Sequence, residues 1–287
     1  MRNGNVRHWP IRQVRANGMR MLADTVVTEE PLEMRLAFEQ AGQLAVLPLA
    51  VTMRTPGNDF ELVAGFLYTE GLIEGPEAIV RMSYCAPGEE QAYNVVQVRL
   101  SPAVRLEAHR LARHFYMTSS CGVCGKAAIE AVFVQGHPAL PVDGPKLAAE
   151  TVCALPQRVR EAQALFQRTG GLHAAAIFDV EDEGMPLLWL REDVGRHNSV
   201  DKVVGAALLA RRLPLSRTCL VVSGRAGFEI AQKALRAGIP ILVAVGAPSS
   251  LTLELAEAAG MTVVGFVREG CFNVYTAPWR IEGLPTI

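Results

Sequence analysis

The clearest pattern lies between residues 219 and 267. Cys219–Val222, Ile241–Val245 and Thr262–Val267 are continuous apolar runs, and Phe228–Arg236 and Leu251–Ala259 between them read as helices. Short runs without polar alternation suit strands covered on both faces, and helices crossing between them suit a parallel sheet. The order strand–helix–strand–helix–strand predicts a layered α/β unit. Upstream, Ala174–Phe178 and Leu187–Leu190 read as two more buried strands around the acidic turn Asp179–Glu183. Val200, Val203, Val204, Ala207 and Leu208 share one face of a helix.

The first half is less regular. Residues 43–53 read as strand material interrupted by Pro48. Asn58 followed by Glu61 suggests a reciprocal cap. It would open a helix with Leu62, Val63, Phe66 and Leu67 on its apolar face and Gly71 at its end. Val96, Val98 and Leu100 alternate with Gln97 and Arg99, as in a half-buried strand. Three segments follow: a basic N-terminal arm over 1–20, a small α/β unit over 21–115 and the main α/β domain over 116–287. Low-complexity tracts and fixed-period repeats are absent.

Half of the 287 residues are hydrophobic, ample material for a large core. A net charge of −1, from 28 basic and 29 acidic side chains, argues against a protein that coats nucleic acid. Arg2, Arg7, Arg12, Arg15 and Arg20 nevertheless fall together with no acidic residue among them. They read as a solvated or partly ordered arm, or as one that binds an anion or a partner. Residues 1–25 hold no apolar signal stretch, and the richest apolar run, Ile241–Val245, is far too short to cross a membrane. A Ser-poor start fits an organellar transit peptide badly. The expectation is a cytoplasmic protein without a membrane partner. Six cysteines, at 85, 121, 124, 153, 219 and 271, are too sparse for a disulfide scaffold.

Two of them are close together, in Cys121-Gly122-Val123-Cys124-Gly125-Lys126. Thr118, Ser119 and Ser120 precede the pair, and Ala127–Val134 follows as a plausible helix. A thiol near a helix N-terminus meets unpaired N–H groups that favour the thiolate, and Lys126, Arg113 and His114 add positive charge. Inert buried cysteines fit the glycine-rich, polar surroundings poorly. Structural zinc wants four ligands, and no second pair with metal spacing exists, so no metal held by side chains is expected. A thioredoxin-like dithiol shares the spacing but belongs to a far shorter fold with a tryptophan before the first cysteine. A persulfide carrier is the fourth reading. In it Cys121 takes the terminal sulfur of a donor persulfide and Cys124 resolves the adduct.

Two further constellations stand out. Arg191-Glu192-Asp193-Val194-Gly195-Arg196-His197-Asn198, with Asp201 and Lys202, crowds charge between a strand and an apolar helix face. It reads as a solvated loop with a cap at Asn198, or as the polar wall of a pocket; Thr169–His173 is a weaker case. Ser223-Gly224-Arg225 and Pro248-Ser249-Ser250 each follow a buried strand and precede a helix, where α/β sheets gather ligands.

Taken together these residues resemble the formate dehydrogenase accessory sulfurtransferase (FdhD/NarQ) family over about residues 25–280. The resemblance is carried by Thr28–Leu32, by Arg54–Gly57 through Glu70–Ile73, and by Thr118–Gly125. Thr169–Ala174, Arg191–Lys202 and Ala247–Ser250 extend it. Gly227 departs from it, since the family typically has serine there. The resemblance implies a cytidine-deaminase-like layered α/β fold, usually a homodimer. It implies a sulfurtransferase whose first cysteine, here Cys121, carries persulfide sulfur from a cysteine desulfurase to a molybdenum cofactor with two guanine dinucleotides. That transfer is needed before formate dehydrogenase is active. The cofactor, a bound substrate, would lie along Phe266, Val267, Arg268, Glu269, Gly270 and Cys271, and near Ser223, Gly224 and Arg225. A zinc-dependent deaminase is rejected, because no His-x-Glu or Cys-x-Glu occurs and Ser120 stands where proline would precede the pair. A thiol–disulfide oxidoreductase and a non-catalytic cofactor-binding chaperone are the alternatives.

Overall fold

A computed structural model describes residues 4–40, 42–84, 93–104 and 140–284. Cys121 and Cys124 lie outside these residues, as do Cys85, Arg113, His114, Lys126 and the helix expected at 127–134. Strands β1 (Val6–Arg15) and β2 (Gly18–Val27) open the chain, followed by β3 (Glu30–Gln40), β4 (Gln43–Arg54), helix α1 (Asp59–Thr69), β5 (Ile79–Tyr84) and β6 (Val95–Leu100). Then come β7 (Leu147–Ala148), α2 (Ala149–Ala162), α3 (Ala164–Thr169), β8 (His173–Asp179), β9 (Leu187–Asp193) and α4 (Arg196–Leu209). The alternating series is β10 (Thr218–Val222), α5 (Phe228–Arg236), β11 (Ile241–Ala244), α6 (Ser250–Ala259) and β12 (Thr262–Arg268). Strands β13 (Cys271–Thr276) and β14 (Ile281–Glu282) close the described chain. The architecture is mixed α/β.

The alternating series forms the centre of a six-stranded sheet ordered β13-β12-β11-β10-β8-β9. β10, β11 and β12 are parallel, with Cys219 opposite Ile241 and Ile241 opposite Thr262, as the continuous apolar runs predict. Strand alternation splits their side chains between two faces. Leu220, Val222, Leu242 and Ala244 join the core beneath α4 and α5. Cys219, Val221, Ile241 and Val243 pack on the other face with Val152, Leu155 and Val159 of α2. Cys219 is wholly buried there, and burial pushes its thiol up to about 12, which makes it a packing residue.

The second large sheet is ordered β4-β3-β6-β5. Pro48 does not break β4; the pairing with β3 shifts register next to it, which absorbs the missing donor. Helix α1 covers this sheet with Leu62, Val63 and Leu67, all fully buried, and Gly71 ends it at φ 72°. The reciprocal cap does not form. Asn58 sits at φ 56° with no side-chain cap bond, while Glu61 takes Arg191 Nε and Nη2 at 2.5 and 2.7 Å. A bidentate charged pair outcompetes the local cap. The arginines at 7, 12, 15 and 20 lie in the β1–β2 hairpin, and Arg7 pairs with Glu30 at 3.0 Å.

Helices α1 and α4 cross at two glycines, which joins the cores of the two sheets into one. A Cβ on Gly65 would stand 1.8 Å from the Asp201 carbonyl oxygen, and one on Gly205 would stand 1.8 Å from that of Glu61. Alanine at an exposed helical glycine stabilises by about 1 kcal/mol. Here collision with backbone outweighs propensity. Gly65→Ala and Gly205→Ala should each destabilise by roughly 3 kcal/mol in chemical denaturation. A neutral or stabilising effect at either position would contradict this crossing.

Candidate functional site

The far-apart runs singled out in the sequence meet at one end of the six-stranded sheet. β8 runs against β10, so its start at His173 lies beside Ser223, and Asp193 at the end of β9 lies opposite His173. Backbone hydrogen bonds tie the loops into a shelf. Ser223 N donates to Ala174 O at 3.0 Å, Gly246 N to Gly224 O at 2.9 Å, Ala226 N to Ala247 O at 3.1 Å and Phe266 N to Gly246 O at 3.1 Å. The Ser223 hydroxyl accepts Ala174 N at 2.9 Å, so it also ties the shelf together. A Cβ on Gly224 would stand 3.4 Å from His173 Nδ1, and one on Gly246 3.0 Å from Gly224 O, so small residues let the loops close up. Phe266 adopts φ 53° at a bulge in β12 and is 39% exposed. Strain at a non-glycine residue of this kind clusters at ligand clamps and active sites. Gly227 caps α5 without a side chain, and open space surrounds its Cβ position, so serine would fit.

The charged run 191–202 is neither a solvated loop nor mainly a pocket wall. Lys202 Nζ reaches Asp193 Oδ2 at 2.6 Å, with side-chain exposures of 2% and 0%. Asp193 also accepts Thr55 N at 3.1 Å, Gly195 N at 2.8 Å and Asn198 Nδ2 at 2.9 Å. Lys202 donates onward to Thr55 O at 3.0 Å. The helix opens at Gly195, and Asn198 serves this network. Nearby, buried Lys233 donates to Thr69 Oγ1, Glu70 Oε1 and Asp201 Oδ1, each at 2.9 Å. Burial alone would lower its ammonium, but Asp201 and Glu70 outweigh burial and raise it. These charges join the N-terminal sheet unit to the shelf, and Arg196 and His197 of the run are half-buried beside His173 and Glu229.

His197 Nε2 lies 2.9 Å from Glu229 Oε2, and this hydrogen bond is the main cause holding the Glu229 carboxyl below its ordinary value. Arg225 and Arg268 have no ion-pair partner among the described residues, whereas Arg196 makes no close ion pair but lies near enough to Glu229 to help hold its carboxyl down. No group of three metal-ligating side chains occurs among the described residues.

Sequence reasoning missed the cavity beside the shelf. About 950 Å³ opens between α2 and the sheet, and its wall includes Cys153, Gln163, Phe166, His173, Ser223 and Glu269. Gln163 ends α2 and begins α3. Glu192 fixes that junction by accepting Leu165 N at 2.9 Å and Phe166 N at 2.7 Å. The Gln163 side chain is buried, and its Nε2 has no hydrogen-bond partner among the described residues. An unpaired buried donor costs about 1–3 kcal/mol.

His173 supplies a pH test. Burial first, then Arg196 and His197, push its imidazole below the ordinary value. The folded chain thus holds it neutral while the unfolded chain takes a proton at about pH 6.5, so its effect is absent above that pH. Below it, stability falls. His173→Gln should shrink the loss of denaturation midpoint between about pH 7.5 and about pH 5.5. An undiminished loss in the variant would contradict the half-buried, neutral imidazole.

Comparison with known proteins agrees with this geometry. The FdhD/NarQ family model matches residues 28–282. The chain is 50% identical to the sulfur carrier protein FdhD of Streptomyces avermitilis, over 94% of this chain and 93% of that protein. The sulfur carrier protein FdhD of Sulfurisphaera tokodaii is 41% identical, over 90% of this chain and 92% of that one. A crystal structure described as a formate dehydrogenase accessory protein from Desulfotalea psychrophila superposes with a TM-score of 0.70 at 26% identity, covering 96% of this chain and 99% of that one. These matches take in both sheets and the shelf rather than one shared motif: the chain belongs to the FdhD/NarQ family.

Proposed function

We propose that this protein is a sulfurtransferase that receives sulfur on Cys121 from a cysteine desulfurase. It delivers the sulfur to a molybdenum cofactor carrying two guanine dinucleotides, its substrate, as a step in making formate dehydrogenase active. The observation that supports this most is the shelf, where Arg225 and Arg268 stand without an ion-pair partner among the described residues beside loops tied by backbone bonds, and Arg196 lies nearby, close to Glu229. Unpaired guanidinium groups suit the phosphates of a dinucleotide. Phe266–Cys271 and Ser223–Arg225 are the residues assigned to that substrate, and Cys121 and Cys124 are the thiols assigned to the chemistry.

The Cys121 thiolate attacks the terminal sulfur of the donor persulfide; that S–S bond breaks, a new one forms at Cys121, and the donor leaves as a thiolate. The Cys124 thiolate then attacks the Cys121 sulfur, which closes a disulfide and releases hydrosulfide to the cofactor; a thiol reductant restores the pair. In this reading the protein is a cytoplasmic homodimer with cytidine-deaminase-like layering. Its main domain begins near residue 116, after a basic arm and a small α/β unit. Cys121→Ala should leave the thermal midpoint unchanged and leave formate dehydrogenase unmatured in cells that depend on this protein. Full maturation by the variant would remove Cys121 from the mechanism.

A further inference from the structure

Two apolar surfaces of this chain stand uncovered. The first is the β1–β2 hairpin, which is tied to the body at its base, where Thr28 N donates to Asn5 O at 2.9 Å and Arg7 pairs with Glu30. Its register puts Val14, Met19 and Met21 on one face near the turn, 62–75% exposed, while Trp9 stands exposed on the other. A two-stranded hairpin with nothing packed against it is marginal in water. The second surface is β4, an edge strand of its sheet among the described residues. Leu44, Val46, Val51 and Met53 face away from α1, since they lie opposite Glu39, Ala37, Glu33 and Pro31 of β3, and they are 46–55% exposed. Residues 43–53 carry no charge at all. Monomeric proteins guard such edges with charged side chains, and this one is bare.

We infer that two copies of this chain exchange hairpins, with Val14, Met19 and Met21 of one copy packed on Leu44, Val46, Val51 and Met53 of the other. One two-fold exchange covers both surfaces on both copies, because what each lends the other returns. Charge selects this pairing over contact between the two hairpins. Four arginines against Asp24 give residues 6–27 a charge of +3, and the chain totals −1, so the remainder carries −4. Hairpins repel each other and are drawn to the rest of a second copy. Size agrees as well. A stable interface takes about 20–30 residues a side, and the two ten-residue strands of the hairpin with the exposed row on β4 reach that range. The inference rests on the homodimer reading and names the surfaces that make the dimer.

Light scattering on the full chain at micromolar concentration should give twice the single-chain mass of 31.1 kDa. Val51→Asp and Met21→Asp should each weaken dimerisation about 100-fold or more and return the single-chain mass, with circular dichroism unchanged. Val80→Asp, at an exposed position on β5 at the opposite edge of the sheet, should stay dimeric. If an aspartate variant fails to fold, milder substitutions decide. A gently oxidised mixture of Met21→Cys and Val51→Cys should yield a disulfide between positions 21 and 51 of two chains, found by peptide mass mapping. A link joining position 21 to position 21 instead, or no link across the mixture, would overturn the exchange. So would a single-chain mass for Val80→Asp, which would make the effect unspecific. A native dimer unmoved by Val51→Asp and Met21→Asp would overturn the inference and leave the homodimer reading standing, whereas native protein at the single-chain mass would overturn both. Sulfur loading, read by intact mass, tests the carrier reading separately.

Discussion

The ion pair between Asp193 and Lys202 is the interaction on which the arrangement of the site depends. Both groups are out of contact with water, and separating two such charges from solvent is costly unless every valence is met. Here the carboxylate takes backbone N–H groups from Thr55 and Gly195 and the amide of Asn198, and the ammonium returns a bond to Thr55 O. One pair therefore fixes three things at once: the end of β4, the end of β9 and the start of α4. Removing either partner would leave a buried charge uncompensated, at a cost on the order of 3–5 kcal/mol.

What this joint holds in place is the shelf. With α4 anchored at its N-terminus, Arg196 and His197 stand next to His173 and Glu229, and the loops after β10, β11 and β12 close on one another through backbone bonds. The glycine crossing of α1 and α4 does the same work at the level of packing. It brings the smaller sheet close enough for Thr55, Glu61 and Thr69 to reach partners more than 100 residues away. The fold thus spends most of its buried charge on joining two sheets, and the cations left over gather where the strands end.

The alternating half was legible because its strands are buried on both faces, so each shows as an unbroken apolar run with boundaries within a residue or two. Helix α2 was not: Pro156 lies inside it, and only Val152, Leu155 and Val159 are buried. The β1–β2 hairpin carries Asn17-Gly18 at its turn, a readable signal, but most of its strand positions are exposed and show no alternation to frame it. The charged run 191–202 was set apart correctly as unusual and given the wrong surroundings, because its partners lie at Thr55, Thr69 and Lys233 and sequence spacing carries no trace of them. The strand-end loops were legible as a group, since a ligand of an α/β sheet sits at the carboxyl ends of the strands. The thiol pair was read from its spacing and family resemblance and lies outside the described residues.

Intact mass after incubation with a cysteine desulfurase and cysteine measures whether this chain carries sulfur on one cysteine. Native protein should gain the mass of one sulfur atom, reversed by reductant, and Cys121→Ala should not. Native protein that gains no mass, or a Cys121→Ala variant that gains the same mass, would contradict it.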